Sequence, residues 1–179
     1  MDTNTTAETD VLDGIVQDMH DLYPRLEVTG LPIIGRVLRL ARYLENRREE
    51  QLGQYGLTVP DFDVLATMRR QAGDRTINIR ELQRSMMLSS GGTTKRLDRL
   101  ERAGHIERLP DPNDRRGVLI RLTPDGLALI DDILPAVTRA ENDVVSNAID
   151  SDEERTGVAD VLRRLLLAHE DLESKASDD

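Results

Sequence analysis

The side chains best able to do chemistry in this chain are guanidinium groups, and they are clustered. Residues 80 to 123 hold ten Lys or Arg (Arg80, Arg84, Lys95, Arg96, Arg99, Arg102, Arg108, Arg115, Arg116 and Arg121) and six acids (Glu81, Asp98, Glu101, Glu107, Asp111 and Asp114). Ten minus six is +4, in a chain whose formal charge is -10, so the remainder sums to -14. A basic island in an acidic body is the footprint of a local polyanion contact, with the acidic remainder limiting indiscriminate binding. Charge alone does not decide this, because Arg and Glu interspersed on a helix also make an ordinary solvated face.

Other chemistries find no comparable grouping. The chain has no cysteine, which removes disulfides, thiolate catalysis and cysteine-ligated zinc together. His20, His105 and His169 are far apart and lack the i, i+4 pairing of a helical metal site. Asp131-Asp132 and Asp152-Glu153-Glu154 read as helix-face and first-turn acids, and Met68, Met86 and Met87 as core fillers. No nucleophile elbow, phosphate-cradling glycine loop or Ser/His/Asp spacing stands out. The expectation is a protein that is not an enzyme and that needs neither metal nor cofactor.

The elements that must position the arginines follow from periodicity. Val11, Leu12, Ile15, Val16, Met19 and Leu22 recur at steps of three and four, predicting an amphipathic helix over 10–22 that Pro24 ends. A second helix is expected from about Ile33 to Gln54, and a third, with little polar face, from Thr58-Val59-Pro60 to Ala72. Asn78 and Glu81 have capping-box spacing before a short helix over 79–85, with Ile79, Leu82 and Met86 inward. Ser89 is the expected N-cap of a helix over 90–103, in which Thr93, Leu97 and Leu100 share one face and Gly104 supplies the stop. Two short helices so spaced have the layout of a helix-turn-helix.

Two extended runs come next, 105–109 and 117–122, joined by the turn-rich Pro110-Asp111-Pro112-Asn113-Asp114-Arg115-Arg116. That is a β-hairpin with arginines at its tip. Thr123 and Pro124 then open a long helix toward Ile149, kinked or broken at Pro135. Ser151 and Glu154 start a last helix whose Val158, Leu162, Leu165, Leu166, His169 and Leu172 form one stripe, and 173–179 is expected as a flexible tail.

In that context the small and polar residues gain meaning. Ser89, Ser90, Gly91, Thr94, Lys95 and Arg99 suit a DNA major groove, where small residues permit close backbone approach and hydroxyl and cationic groups meet bases and phosphates. Arg115 or Arg116 at the tip of a thin ribbon can enter the minor groove, with Asp114 placed to hold the guanidinium. Solvated turn arginines and an Asx turn at Asp114 are the bland alternative.

The 179 residues suit one domain plus an accessory element. With 38% hydrophobic residues there is matter for a core, but no apolar run of ~18 residues that could span a bilayer. The opening MDTNTTAETD has neither basic nor apolar signal character, so a cytoplasmic site is expected and no membrane partner.

Three stretches carry a resemblance. Gly56-Leu57-Thr58-Val59-Pro60-Asp61-Phe62-Asp63-Val64-Leu65, then Leu88-Ser89-Ser90-Gly91-Gly92-Thr93-Thr94-Lys95-Arg96-Leu97-Asp98-Arg99-Leu100-Glu101, then Asp111-Pro112-Asn113-Asp114-Arg115-Arg116-Gly117-Val118 with Leu122-Thr123-Pro124, resemble the multiple antibiotic resistance regulator (MarR) family over residues 31 to 172. The resemblance implies a mainly α protein with a small two-stranded β-wing, a winged helix-turn-helix on a dimeric α-helical scaffold. The implied organisation is an N-terminal extension over 1–30, a DNA-binding lobe over 58–123, and scaffold and dimerisation helices over 31–57 and 124–172. Positions 94, 95, 99 and 116 match family positions that touch DNA, while Thr93 stands where a larger apolar residue is usual. The implied function is a homodimeric DNA-binding regulator, as repressor, released by a small anionic or aromatic effector. The alternative is a winged helix used only to bind protein.

The extra first helix is similar to that of the family's urate-responsive branch. There, a Trp on this helix, an Asp after the Gly-Leu-Thr segment and two Arg are associated with ligand response. Asp63, Arg96 and Arg108 stand at the matching places, and Met19 replaces the Trp, which removes a stacking platform. Two guanidinia near a carboxylate would suit an aromatic acid, a purine or a citrate-like polyanion. A purely structural ion pair of Arg with Asp63 is the alternative.

Overall fold

The computed structural model describes residues 9–72, 75–86, 92–114 and 117–177. They fall into two units, 1–63 and 64–179.

In the first unit, Asp10 starts helix α1 (Val11–Leu22) with a reciprocal cap. Its carboxylate accepts from the N–H groups of Leu12 and Asp13, and the Asp13 carboxylate accepts from the N–H of Asp10 at 2.8 Å. Helix α2 (Leu31–Gly53) has Pro32 in its first turn and a stripe of apolar side chains, including Ile33, Ile34, Val37, Leu38 and Tyr43, that this unit leaves exposed. Arg36 of α2 reaches back to α1. It donates to Asp10 at 2.9 and 3.0 Å, to Asp13 at 2.7 Å and to the carbonyl of Pro32 at 3.1 Å. Thr58 and Asp61 form the cap of α3 (Val59–Ala72), with Asp61 accepting from the Thr58 N–H at 3.1 Å and hydroxyl at 2.8 Å. As the sequence predicts, α3 has little polar face: Phe62 is buried here, as are Val64, Leu65 and Met68 further along it.

The second unit is built around a sheet of order β1-β3-β2, all antiparallel. Strands β2 (Ile106–Pro110) and β3 (Val118–Leu122) are the expected hairpin, in a register that opposes Ile106 to Leu122 and Arg108 to Ile120. The sheet extends beyond this two-stranded wing. Ile77-Asn78 form a third strand, β1, pairing Ile77 with Ile120 and Asn78 with Leu119. Two residues are too few to show alternation, and their partner lies more than forty residues on, so no local pattern announces the strand. Asn78 also caps α4 (Ile79–Ser85), accepting from the Arg80 N–H at 2.8 Å.

Helix α5 (Thr93–Arg102) starts three residues later than its expected start at Ser90, and its N-cap is Gly92 rather than Ser89. Gly92 has φ of 94°, a left-handed conformation open to glycine, which breaks the helix path that propensity alone would extend toward Ser90. At the other end Gly104 is left-handed, at φ 78°, as expected of the stop. The N–H of His105 donates to the Leu100 carbonyl and that of Gly104 to the Glu101 carbonyl, closing a Schellman turn.

Helix α6 (Pro124–Ser146) begins at its expected cap, Thr123, whose hydroxyl oxygen accepts from the Gly126 N–H at 3.0 Å. It is not broken at Pro135. Pro135 is exposed, and so is Asp131, whose carbonyl the ring deprives of its helical donor, so water can take the donor's place. Helix α7 (Asp152–Ser177) starts with Ser151 accepting from the Glu154 N–H, and the segment expected as a tail is helical to Ser177. Arg155 donates to the Ile149 carbonyl at 2.8 and 3.0 Å, tying the start of α7 to the end of the loop before it. Leu82, Leu97, Leu100, Ile106, Ile120, Ile130 and Ile133 make the core of this unit. No residue from 152 to 170 is buried, so the apolar stripe of α7 is left uncovered. Among the described residues no helix is long and apolar enough to cross a membrane.

Candidate nucleic-acid interface

At 3.6 residues per turn, α5 sorts its side chains by role. Thr93, Leu97 and Leu100 lie together and are each 1% exposed, so this is the face that packs inward. Thr93 is small for such a site, yet it is fully buried. Opposite them stand Lys95, Arg99 and Arg102, all exposed. Thr94, exposed, shares one flank with Asp98 and Glu101, while Arg96 occupies the other flank. A helix anchored by three buried side chains thus presents three cations outward, over one unbroken strip of surface.

The wing stands next to this helix. Its strands are joined across the tip by the Asp111 N–H donating to the Gly117 carbonyl at 3.1 Å and the Gly117 N–H donating to the Asp114 carbonyl at 2.8 Å. Asp111 makes an Asx turn, its carboxylate accepting from the Asn113 N–H at 2.8 Å. Asp114 itself is exposed. Ser89, Ser90, Gly91, Arg115 and Arg116 lie outside the described residues.

Arg108 is where helix and wing meet. It alternates with Glu107 along β2, so its stem lies on the same face as Ile106 and opposite fully buried Ile120, while its head turns to α5. One terminal nitrogen donates to Asp98 at 2.6 Å and the other is bonded to Glu101. Burial disfavours the cation here, but the hydrogen bond that Arg108 donates to Asp98 and the charges of Glu101 and Asp98 outweigh it, and the Arg108 pKa is raised. On the other face of the ribbon Arg121 pairs with Glu107, its cross-strand neighbour, at 2.6 Å.

Of the four residues expected to sense a ligand, Arg108 is bonded to two carboxylates of the second unit, on the flank of α5 opposite Arg96. Arg96 is half-buried, and among the described residues its buried Nη1 has no hydrogen-bond partner. Met19 and Asp63 belong to the first unit, both half-buried. Sequence reasoning missed Asp98 and Glu101 as the partners of Arg108. The available signal was two acids three apart on a helix that ends just before the strand carrying the arginine.

Helix α4, helix α5 and the hairpin β2–β3, with α6 following, define a winged helix-turn-helix protein. The MarR family pattern matches residues 57–118. The chain is 34% identical over 151 residues to the HTH-type transcriptional regulator PecS of Dickeya dadantii (strain 3937), covering 84% of this chain and 90% of that protein. It is 32% identical over 124 residues to the multiple antibiotic resistance protein MarR of Escherichia coli (strain K12), covering 69% and 84% of the two. A crystal structure of a mutant MarR from E. coli complexed with operator DNA aligns with a TM-score of 0.64 at 26% identity, covering 88% of this chain and 99% of that one. The chain belongs to the MarR family, whose members are transcriptional regulators rather than enzymes.

Proposed function

We propose that the protein represses transcription as a cytoplasmic homodimer on a pseudo-palindromic operator and is released by a small anionic or aromatic effector. The observation that carries the DNA reading is α5 itself: Lys95, Arg99 and Arg102 stand exposed on the side opposite the buried Thr93, Leu97 and Leu100, beside a ribbon whose tip sequence contains Arg115 and Arg116. In this reading Thr94, Lys95 and Arg99, with Ser89, Ser90 and Gly91 before them, meet the major groove, and the wing tip with Asp114, Arg115 and Arg116 meets the minor groove. Residues 58–123 act as the reading lobe, and 31–57 with 124–172 as the scaffold.

The dimer is supported by the apolar side chains that single chains leave in water. Val158, Leu162, Leu165 and Leu166 on α7 are each more than two-fifths exposed, and α2 carries a comparable stripe. Surfaces of that kind mark an interface. A two-fold axis then places the two α5 helices in successive major grooves about 34 Å apart. For the effector, Met19, Asp63, Arg96 and Arg108 are the candidate contacts, and the unsatisfied buried nitrogen of Arg96 supports an anion there most directly.

Selection of bound duplexes from a random library tests this reading. The expected result is an enriched site with two inverted halves about 10–10.5 base pairs apart, centre to centre. Recovery of no common sequence would overturn it and leave the winged helix as a protein-binding module.

A further inference from the structure

We propose that Arg108 masks the two acids of α5, so that a helix bearing Asp98 and Glu101 can lie against a polyanion. This rests on the reading of α5 as the groove-facing helix. Four cations and two carboxylates lie on α5, and neither carboxylate is hidden: the side chains of Asp98 and Glu101 are 47% and 39% exposed. Both sit on the flank next to the outward cationic strip, where bare carboxylates would oppose every phosphate that Lys95 and Arg99 attract. A single guanidinium answers both, because residues three apart on a helix project side by side and the planar fork offers two separate nitrogens. Arg108 itself is only 26% exposed, with both terminal nitrogens engaged by the acids, which makes it a poor phosphate ligand and a good internal counter-ion. As a guanidinium it is charged throughout the range in which DNA is bound.

Arg108 is on this account a positioning residue that acts through Asp98 and Glu101. The Arg121–Glu107 pair supplies an internal control, being an arginine on the same ribbon that neutralises an acid off the helix.

The test is fluorescence anisotropy with the duplex enriched from the random library, using wild type, Arg108→Gln, Arg121→Gln, and Arg108→Gln combined with Asp98→Asn and Glu101→Gln. Arg108→Gln is expected to weaken binding by about tenfold or more, and Arg121→Gln by less than about threefold. The triple variant is expected to return to within about threefold of wild type, a rescue that a purely structural role would not give. A triple variant as weak as Arg108→Gln, or an Arg108→Gln variant as tight as wild type, would overturn the masking role. If Arg108→Gln does not fold, Asp98→Asn with Glu101→Gln alone carries the test. With Arg108 unmasked, affinity should rise and the log-log salt slope should steepen by about 0.9. An unchanged affinity and slope would overturn the proposal. Wild-type protein that prefers no duplex refutes the underlying DNA reading as well, so the two failures are told apart by the wild-type curve.

Discussion

A β-carbon on Gly126 would stand 1.9 Å from the carbonyl oxygen of His105, so helix α6 crosses the end of α5 at backbone contact. The same junction is stitched by the Thr123 N–H donating to the His105 carbonyl at 3.0 Å and by the Thr123 hydroxyl donating to the Gly104 carbonyl at 2.6 Å. Gly126 is where the end of α5 is held against the rest of its unit. Gly126→Ala is expected to destabilise the protein by on the order of 1–3 kcal/mol, since the obstructing atom is backbone and has no rotamer to change. Urea denaturation measures this directly, and an unchanged midpoint would contradict the close approach.

Removing one exposed cation of α5 has a different signature. Lys95→Ala is expected to weaken binding to specific and scrambled duplexes alike and to reduce the salt slope by about 1, as loss of one phosphate contact requires. Anisotropy titrations at two salt concentrations give both quantities. Loss of sequence preference with an unchanged slope would instead assign Lys95 to a base.

The link between α1 and α2 has a calculable pH response. The N–H of Asp10 first, and Arg36 second, hold the Asp13 carboxyl below its ordinary value. A depressed carboxylate contributes stability that is present above the unfolded-chain pKa and is lost as pH falls through the lowered folded value. The Asp13 part of the link therefore persists through neutral and mildly acidic pH and is lost only below the usual aspartate range of about 3.9. In Arg36→Gln the Asp13 midpoint should move up yet stay below that range, because the backbone donor remains. Carboxyl carbon-13 shifts followed against pH would show both midpoints.

Helix α7 tests the dimer. Leu162→Asp with Leu166→Asp places two charges in an apolar stripe that a single chain leaves in water, so folding of the chain should survive while association fails. Light scattering at micromolar concentration is expected to give a dimer for wild type and a monomer for the variant. A monomeric wild type would refute the assembly.

What could be read from the chain alone depended on how local the cause was. Thr123-Pro124, Asn78 and Ser151 act within four residues, so the starts of α6, α4 and α7 were legible, as was the hairpin between Ile106 and Leu122. The start of α5 was not, because Gly92 is ambiguous in sequence: glycine is poor in a helix and good just before one, and Ser89 offered a stronger capping side chain. The partners of Arg36 and Arg108 were likewise hidden. Arg36 finds Asp10 and Asp13 more than twenty residues away, and Arg108 on β2 finds Asp98 and Glu101 on α5. Such choices are made by packing, which decides where a flexible side chain can end.

Anisotropy titration of the purified protein against the DNA just upstream of its own coding region, beside a scrambled duplex and at two salt concentrations, bears most directly on the claim that this chain reads DNA. Tight binding that falls with salt and prefers the native sequence by ~10³ or more is the predicted result. Equal affinity for both duplexes, or none for either, would contradict it.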